Sequence, residues 1–200
     1  MESSIGTESD TNHELRECLY NERERPPNEI WFYNRGEAYF ELSNFAEGFP
    51  ILANLPISSA SKAMTCQDQR TWPTSEHLFQ AMKFRETRPD VAEKIRHCRS
   101  ARDALNLSRR HPEFVDPRWH ETKLEIMEWV VKQKFTQHKI LADHLLATGD
   151  KILVEHTRFD KFWGDGGNGQ GNNHLGKVLM RVRSFIREAR RGGNEDGVGR

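Results

Sequence analysis

The chain has 200 residues, 36% hydrophobic and 30% charged, which suits one soluble domain with a sizeable core and polar ends. Thirty basic and thirty acidic side chains cancel to a formal net charge of zero, so no global pull towards nucleic acid or membranes follows. Three scattered cysteines (Cys18, Cys66, Cys98), no basic-then-apolar leader and no run of 18 apolar residues set the expectation of an intracellular protein without structural zinc or a membrane span.

In chain order, residues 1–28 are polar, close on Pro26-Pro27 and are read as a flexible tail. The folded domain is placed at 29–190, and 191–200 is read as a second tail. Ile30–Tyr33, Ala38–Leu42 and Phe49–Leu55 are strand candidates, with Ser43-Asn44-Phe45 as a turn between the last two. Leu55–Gln67 is small and polar and reads as an inserted loop, after which Asp68–Trp72 returns as a strand.

Helices then dominate. Ser75–Arg85 is capped by Thr74 or Ser75, Pro89–His97 and Ala101–Arg109 are short, and Glu121–Phe135 and Gln137–Ala147 are amphipathic. Lys151–Glu155 is a strand, and Leu175–Ala189 carries Leu175, Val178, Leu179, Val182 and Ile186 on one stripe. The expected class is α+β: a helix-rich single domain around a small, mainly antiparallel sheet.

Three segments carry candidate chemistry. In Ser75–Arg85, Glu76, Gln80 and Lys83 fall at i, i+4 and i+7, a polar stripe on an otherwise apolar helix. Such a stripe is either a solvated face or the lining of a cleft, because buried charges cost several kcal/mol unless paired. Trp119 and Lys123 stand one helical turn apart, so they form either an aromatic plate and cation for a ligand or a half-buried tryptophan above a solvated lysine. The stretch Asp160–Gly176 (DKFWGDGGNGQGNNHLG) is a glycine-rich loop entering a helix. It can bring backbone amides to a phosphate, with Asp160 and Trp163 at its entrance, or be a tight structural turn. It lacks the residue order of a phosphate-binding NTPase loop and of a dinucleotide fold.

Set in order, LSNFA (Leu42–Ala46), TWPTSEHLFQAMKF (Thr71–Phe84), Trp119, KFTQH (Lys134–His138), LVEHT (Leu153–Thr157) and DKFWGDGGNGQGNNHLGKVLM (Asp160–Met180) resemble the NADAR (YbiA-like) family. The similarity runs from about residue 30 to 188. It implies an α+β fold and cleavage of N-glycosidic bonds to ribose, without a cofactor or metal. Relatives are credited with two activities: removal of ADP-ribose from guanine in nucleic acid, and hydrolysis of phosphoribosylamino-pyrimidine intermediates of riboflavin synthesis. The long glycine loop and free-standing length favour the first, with ADP-ribosylated guanine in DNA or RNA as partner and a monomer as the expected state. A non-catalytic reader of ADP-ribose is the third reading.

Carried over by position, the resemblance implies Glu76, Lys83, Asp160 and Trp119 as catalytic residues. Arg35, Ser43, Asn44, Phe45, Gln80, Lys123 and Trp163 are expected to bind substrate. The loop Gly164, Gly166, Gly167, Asn168, Gly169, Gly171 and Asn172 is expected to hold phosphates. The stretch Asn54–Gln69 is longer than the connection typical of bacterial members.

Overall fold

The computed structural model describes residues 24–55 and 69–195, with side chains to 192. The expected inserted loop falls almost wholly outside these, as do Cys18 and Cys66. Among the described residues, two short ladders and six α-helices make up the domain. Strand β1 (Glu29–Phe32) pairs in parallel with β4 (Ile152–Glu155), and β2 (Ile51–Ala53) pairs antiparallel with β3 (Arg70–Trp72). The small sheet is thus split in two, and only one half is antiparallel. Parallel pairing of β1 and β4 requires a long crossover, and all but the last helix lie within it.

Helix α1 (Ser75–Met82) begins at Thr74, whose side chain accepts from the His77 amide, a cap worth about 1 kcal/mol. Helices α2 (Pro89–Arg96) and α3 (Ala101–Arg109) pack on it. The long α4 (Trp119–Gln137) crosses α1 and lies along α6 (His174–Glu195), with α5 (Lys139–Ala147) between. Helix α6 runs past the expected boundary at 190, to Glu195.

One strand expectation fails. Residues 38–42 form no strand; Phe40–Leu42 is a 3-10 turn entered through Tyr39 at φ 69°. Only Leu42 of that turn is buried, so there is no alternating face to pair.

Every residue of α1 is buried, polar ones included. Its apolar members pack with Trp72, Ile95, Met127 and Val130 in one core. The turn before it is pinned twice: the Asn44 carbonyl accepts from the Glu76 amide at 3.1 Å, and the Glu41 and Ser43 carbonyls accept from Lys134 Nζ at 2.6 and 2.9 Å. Helix α6 approaches β4 so closely that a Cβ on Gly176 would lie 2.0 Å from the Leu153 carbonyl oxygen, which makes glycine obligatory there.

Candidate active site

Burial of α1 excludes the solvated-face reading of its polar stripe. Gln80 Nε2 donates to Glu76 Oε1 at 2.7 Å, and Lys83 Nζ donates to Gln80 Oε1 at 2.6 Å and to Ser108 Oγ at 3.2 Å. The stripe is therefore a hydrogen-bonded row in which the amide of Gln80 fixes the carboxyl and the amine at a set spacing. Burial raises the Glu76 carboxyl to about 7, against the opposing pull of Gln80 and the Lys83 and arginine charges. Burial likewise pushes the Lys83 ammonium down to about 8; Glu76 resists this and Arg109 adds to it. Both groups change charge near neutral pH.

The row forms one wall of a cavity of about 370 Å³. Trp119 begins α4 opposite it, with Lys83 Nζ 5.5 Å from the indole centre. The placement has a backbone cause: the Asp116 amide donates to the Lys83 carbonyl at 2.9 Å, which anchors the connection leading into α4. Phe79 packs between Trp119 and Trp163, with ring centres 5.0 and 5.4 Å away. Lys123, one turn along α4, holds Nζ 3.7 Å above the Phe162 ring and also lines the cavity. Asn44, Phe45 and Asp160 complete the expected residues that reach it.

Other expected residues stand elsewhere. Arg35 makes a surface ion pair with Glu47 at 3.0 Å. Ser43 turns its Oγ to the Phe45 amide and its carbonyl to Lys134, so it shapes the turn without lining the cavity. The glycine loop departs furthest from expectation. None of Gly164, Gly166, Gly167, Asn168, Gly169, Gly171 and Asn172 lines this cavity. The Gly166 amide donates to the Asp160 carbonyl, Gly167 to the Asp165 carboxylate, Gly171 to the Asp165 carbonyl and Asn172 to the Lys161 carbonyl. At the start of α6, the His174 and Leu175 amides are taken by Phe162 and Trp163 carbonyls. These donors are spent on folding the loop, and a phosphate cannot claim them without unmaking it.

Asp160 belongs to both descriptions. Its Oδ1 accepts from the Phe162 and Trp163 amides, each at 2.7 Å, so it caps the loop while lining the cavity.

The sequence reading gave no role to several cavity residues. Glu155 ends β4 and is raised to about 8 by burial, with Asp160, Glu76 and Asp165 adding to the effect. Its amide is held by Asn173 Oδ1 at 3.0 Å, which ties the end of the glycine loop to this strand. The signal was present: a carboxylate closing an apolar strand within LVEHT. Arg102 and Arg109 also line the cavity; with Leu105 they fall at i, i+3 and i+7, one stripe of α3. Arg102 lies 5.2 Å over the Phe45 ring.

The cavity thus gathers an amine, three carboxyls, two indoles and several cations. Its sequence context has relatives. The NADAR domain profile matches residues 31–187. The chain belongs to the NADAR family. It is 40% identical over 157 residues to the N-glycosidase YbiA of Shigella boydii, covering 78% of this chain and 88% of that one. It is also 40% identical over 159 residues to a riboflavin biosynthesis protein of Vibrio vulnificus, covering 80% of this chain and 39% of that one, so it spans well under half of that relative. The NMR structure of YbiA from E. coli superposes with a TM-score of 0.68 at 35% identity, covering 85% of this chain and 91% of YbiA. As a NADAR protein with these relatives, the chain is an enzyme of the N-glycosidase class. No helix among the described residues is long and apolar enough to cross a membrane.

Proposed function

We propose that this N-glycosidase breaks the bond between ribose C1 and an exocyclic amino nitrogen of a base, with ADP-ribosylated guanine in nucleic acid as its substrate and Lys83 as nucleophile. One observation carries the reading: Lys83 shares a cavity with Glu76, Glu155, Asp160 and Trp119, and Gln80 holds its amine at a fixed distance from a carboxyl.

The chemistry follows from poor leaving-group ability. An amine on an electron-poor base does not depart readily from a closed ribose ring. Protonation of the ring oxygen by Glu155, a neutral acid at pH 7, lets the C1–O4′ bond break and leaves a C1=N iminium to the base. Neutral Lys83 adds its lone pair to C1. Glu76, with Asp160, moves the proton from the lysine nitrogen to the base nitrogen. The C1–N bond to the base then breaks, the amino group leaves neutral, and C1 remains as a Schiff base on Lys83. Water adds to C1, the lysine is expelled, and the aldehyde recloses on the O4′ hydroxyl. Trp119 offers a face for the base, worth about 1–3 kcal/mol if stacked. With the Gly166, Gly167, Gly171 and Asn172 amides committed and no glycine of the loop lining the cavity, Arg102, Arg109 and Lys123 take the phosphate role.

A second substrate has specific support. A cavity of about 370 Å³ with three cations suits a single ribose 5-phosphate and a pyrimidine, and the Vibrio vulnificus relative is named for riboflavin biosynthesis. The deciding assay incubates the protein with guanine-ADP-ribosylated DNA and, separately, with the phosphoribosylamino-pyrimidine. Release of ADP-ribose at the higher kcat/KM is expected; faster release of ribose 5-phosphate would transfer the assignment to the pyrimidine. Borohydride added during turnover traps the sugar on Lys83. A lack of adduct together with an active Lys83→Met variant would leave direct hydrolysis by paired carboxylates as the route.

A further inference from the structure

Strand β4 has two edges, and β1 occupies one of them. On that side the Ile152 and His156 amides donate to the Asn28 and Phe32 carbonyls at 2.9 and 3.3 Å. Alternate residues of an extended strand turn their main-chain groups to opposite edges, so Leu153 and Glu155 face the other one. Among the described residues no strand pairs there. A side chain does. Asn173 Nδ2 donates to the Leu153 carbonyl at 2.9 Å, and Asn173 Oδ1 accepts from the Glu155 amide at 3.0 Å. Donating to one residue and accepting from the next but one is what a parallel strand neighbour does, and here a single amide does it. The Asp165 amide in turn donates to the Glu155 carbonyl at 3.0 Å. Both main-chain groups of Glu155 are therefore bonded to the glycine-rich segment.

The segment is shaped for this contact. A Cβ on Gly164 would lie 2.7 Å from the Glu155 carbonyl oxygen and 2.6 Å from Thr157 Cγ2. On Gly176 it would lie 2.5 and 2.6 Å from the two polar atoms of the Asn173 side chain. Neither glycine has a positive φ, so close approach, not backbone freedom, requires them. Asn173 itself stands at φ 48°, in the left-handed region that asparagine tolerates better than most residues. Glu155 lines the catalytic cavity and Asn173 does not, so Asn173 reaches the reaction only through Glu155.

We propose that Asn173 is a positioning residue for the Glu155 acid: its side-chain amide completes the open edge of β4 and, with the Asp165 amide, fixes Glu155 against the reacting ribose. The glycine-rich segment thereby serves the reaction by holding the acid rather than a phosphate. This rests on the reading of Glu155 as the group that protonates the ring oxygen. Proton delivery depends on placement, and an error of about 1 Å in a reacting group can cost on the order of a hundredfold in rate.

Steady-state kinetics of the full chain across pH test it, with whichever substrate of the assay above turns over faster. Asn173→Gly accepts the positive φ and removes the amide. Its kcat should fall about tenfold or more, with KM within a few-fold. Its alkaline limb should move to lower pH as water reaches a carboxyl whose strand end is released, while the acid limb, set by Glu76 and Lys83 on α1, stays. Asn173→Asp keeps an acceptor for the Glu155 amide and adds a negative charge. It should recover part of the lost kcat and move the alkaline limb to higher pH. The charged groups around Glu155 are Asp160 and Asp165 of the loop, Glu76 and Lys83 of α1, Arg102 and Arg109 of α3 and Lys123 of α4; both variants leave them in place. An alkaline limb that stays put in both variants, whatever their kcat, would overturn the proposal. So would loss of folding in both, which would make the amide a structural tie alone. Glu155→Gln separates the premise: if it keeps its rate and its alkaline limb, the acid assignment fails whatever Asn173 does.

Discussion

Two lysines of this domain, Lys83 half-buried and Lys134 fully buried, are displaced from their ordinary protonation, and they do opposite work. Lys83 is lowered to about 8 and Lys134 to about 7, in both cases chiefly by burial. Lys134 Nζ is 2.6 and 2.9 Å from two main-chain carbonyls and sits deep in α4, where nothing from solvent reaches it. Its amine is a clamp on the turn that carries Asn44 and Phe45. Lys83 is held only by side chains, Gln80 and Ser108, and opens on a cavity. The contrast teaches that a shifted lysine is a candidate nucleophile only when its partners can let it go and a ligand can arrive.

The largest expected effect falls on Lys83. Lys83→Met should lower kcat by about 10³-fold or more and abolish the borohydride adduct, whereas Lys134→Met should leave kcat of the folded protein within a few-fold. Equal losses in the two variants would erase the distinction. Next comes the carboxyl linked to Lys83 through Gln80. Glu76→Gln keeps an acceptor for Gln80 but removes the titrating proton, and kcat should fall about 10²-fold with the fold preserved by circular dichroism.

For Lys134→Met the effect moves to stability. Two carbonyls lose their donor, so urea unfolding should show a loss of about 2 kcal/mol, tempered by removal of a buried amine. An unchanged midpoint would mean that the clamp contributes nothing.

The smallest effects are those of pH. Turnover needs neutral Lys83, ionised Glu76 to take its proton and protonated Glu155, so kcat should rise as Glu76, near 7, and Lys83, near 8, lose their protons and fall as Glu155, near 8, loses its own. A bell with a narrow optimum near 8 is expected, and Glu155→Gln should remove its alkaline limb along with most of the rate. Stability should respond to Lys134 differently. Between about 7 and the ordinary 10.5 the unfolded chain binds a proton that folded Lys134 does not, so this group's contribution to stability improves as pH rises through that window. Lys134→Met should remove that slope, and a slope that persists unchanged would point to another group.

Much of the fold was legible. Helices α2 and α3 fall within a residue of where caps and proline placed them, and of the two caps expected for α1, Thr74 and Ser75, the structure uses Thr74. Residues 38–42 misled because Tyr39 and Phe40 have strand propensity, yet positive φ at Tyr39 turns the chain there. Within the site, Glu76, Gln80, Lys83, Trp119, Lys123, Asn44, Phe45, Asp160 and Trp163 converge, while Arg35 and Ser43 do not. Glu155 went unassigned because one carboxylate after three apolar residues reads as the end of a strand; its place in the cavity depends on the tertiary packing of β4.

The glycine loop marks the boundary between the two kinds of knowledge. Its composition determined that the backbone would fold tightly there, and the i, i+4, i+7 spacing determined that Glu76, Gln80 and Lys83 would share a face. Both are local consequences of steric freedom and helical pitch. Whether that face met water or a cavity, and whether the loop's amides were free for a ligand or consumed by its own carbonyls, depended on contacts between residues far apart in the chain. Burial and hydrogen-bond partners are properties of packing, and only the tertiary structure decided them.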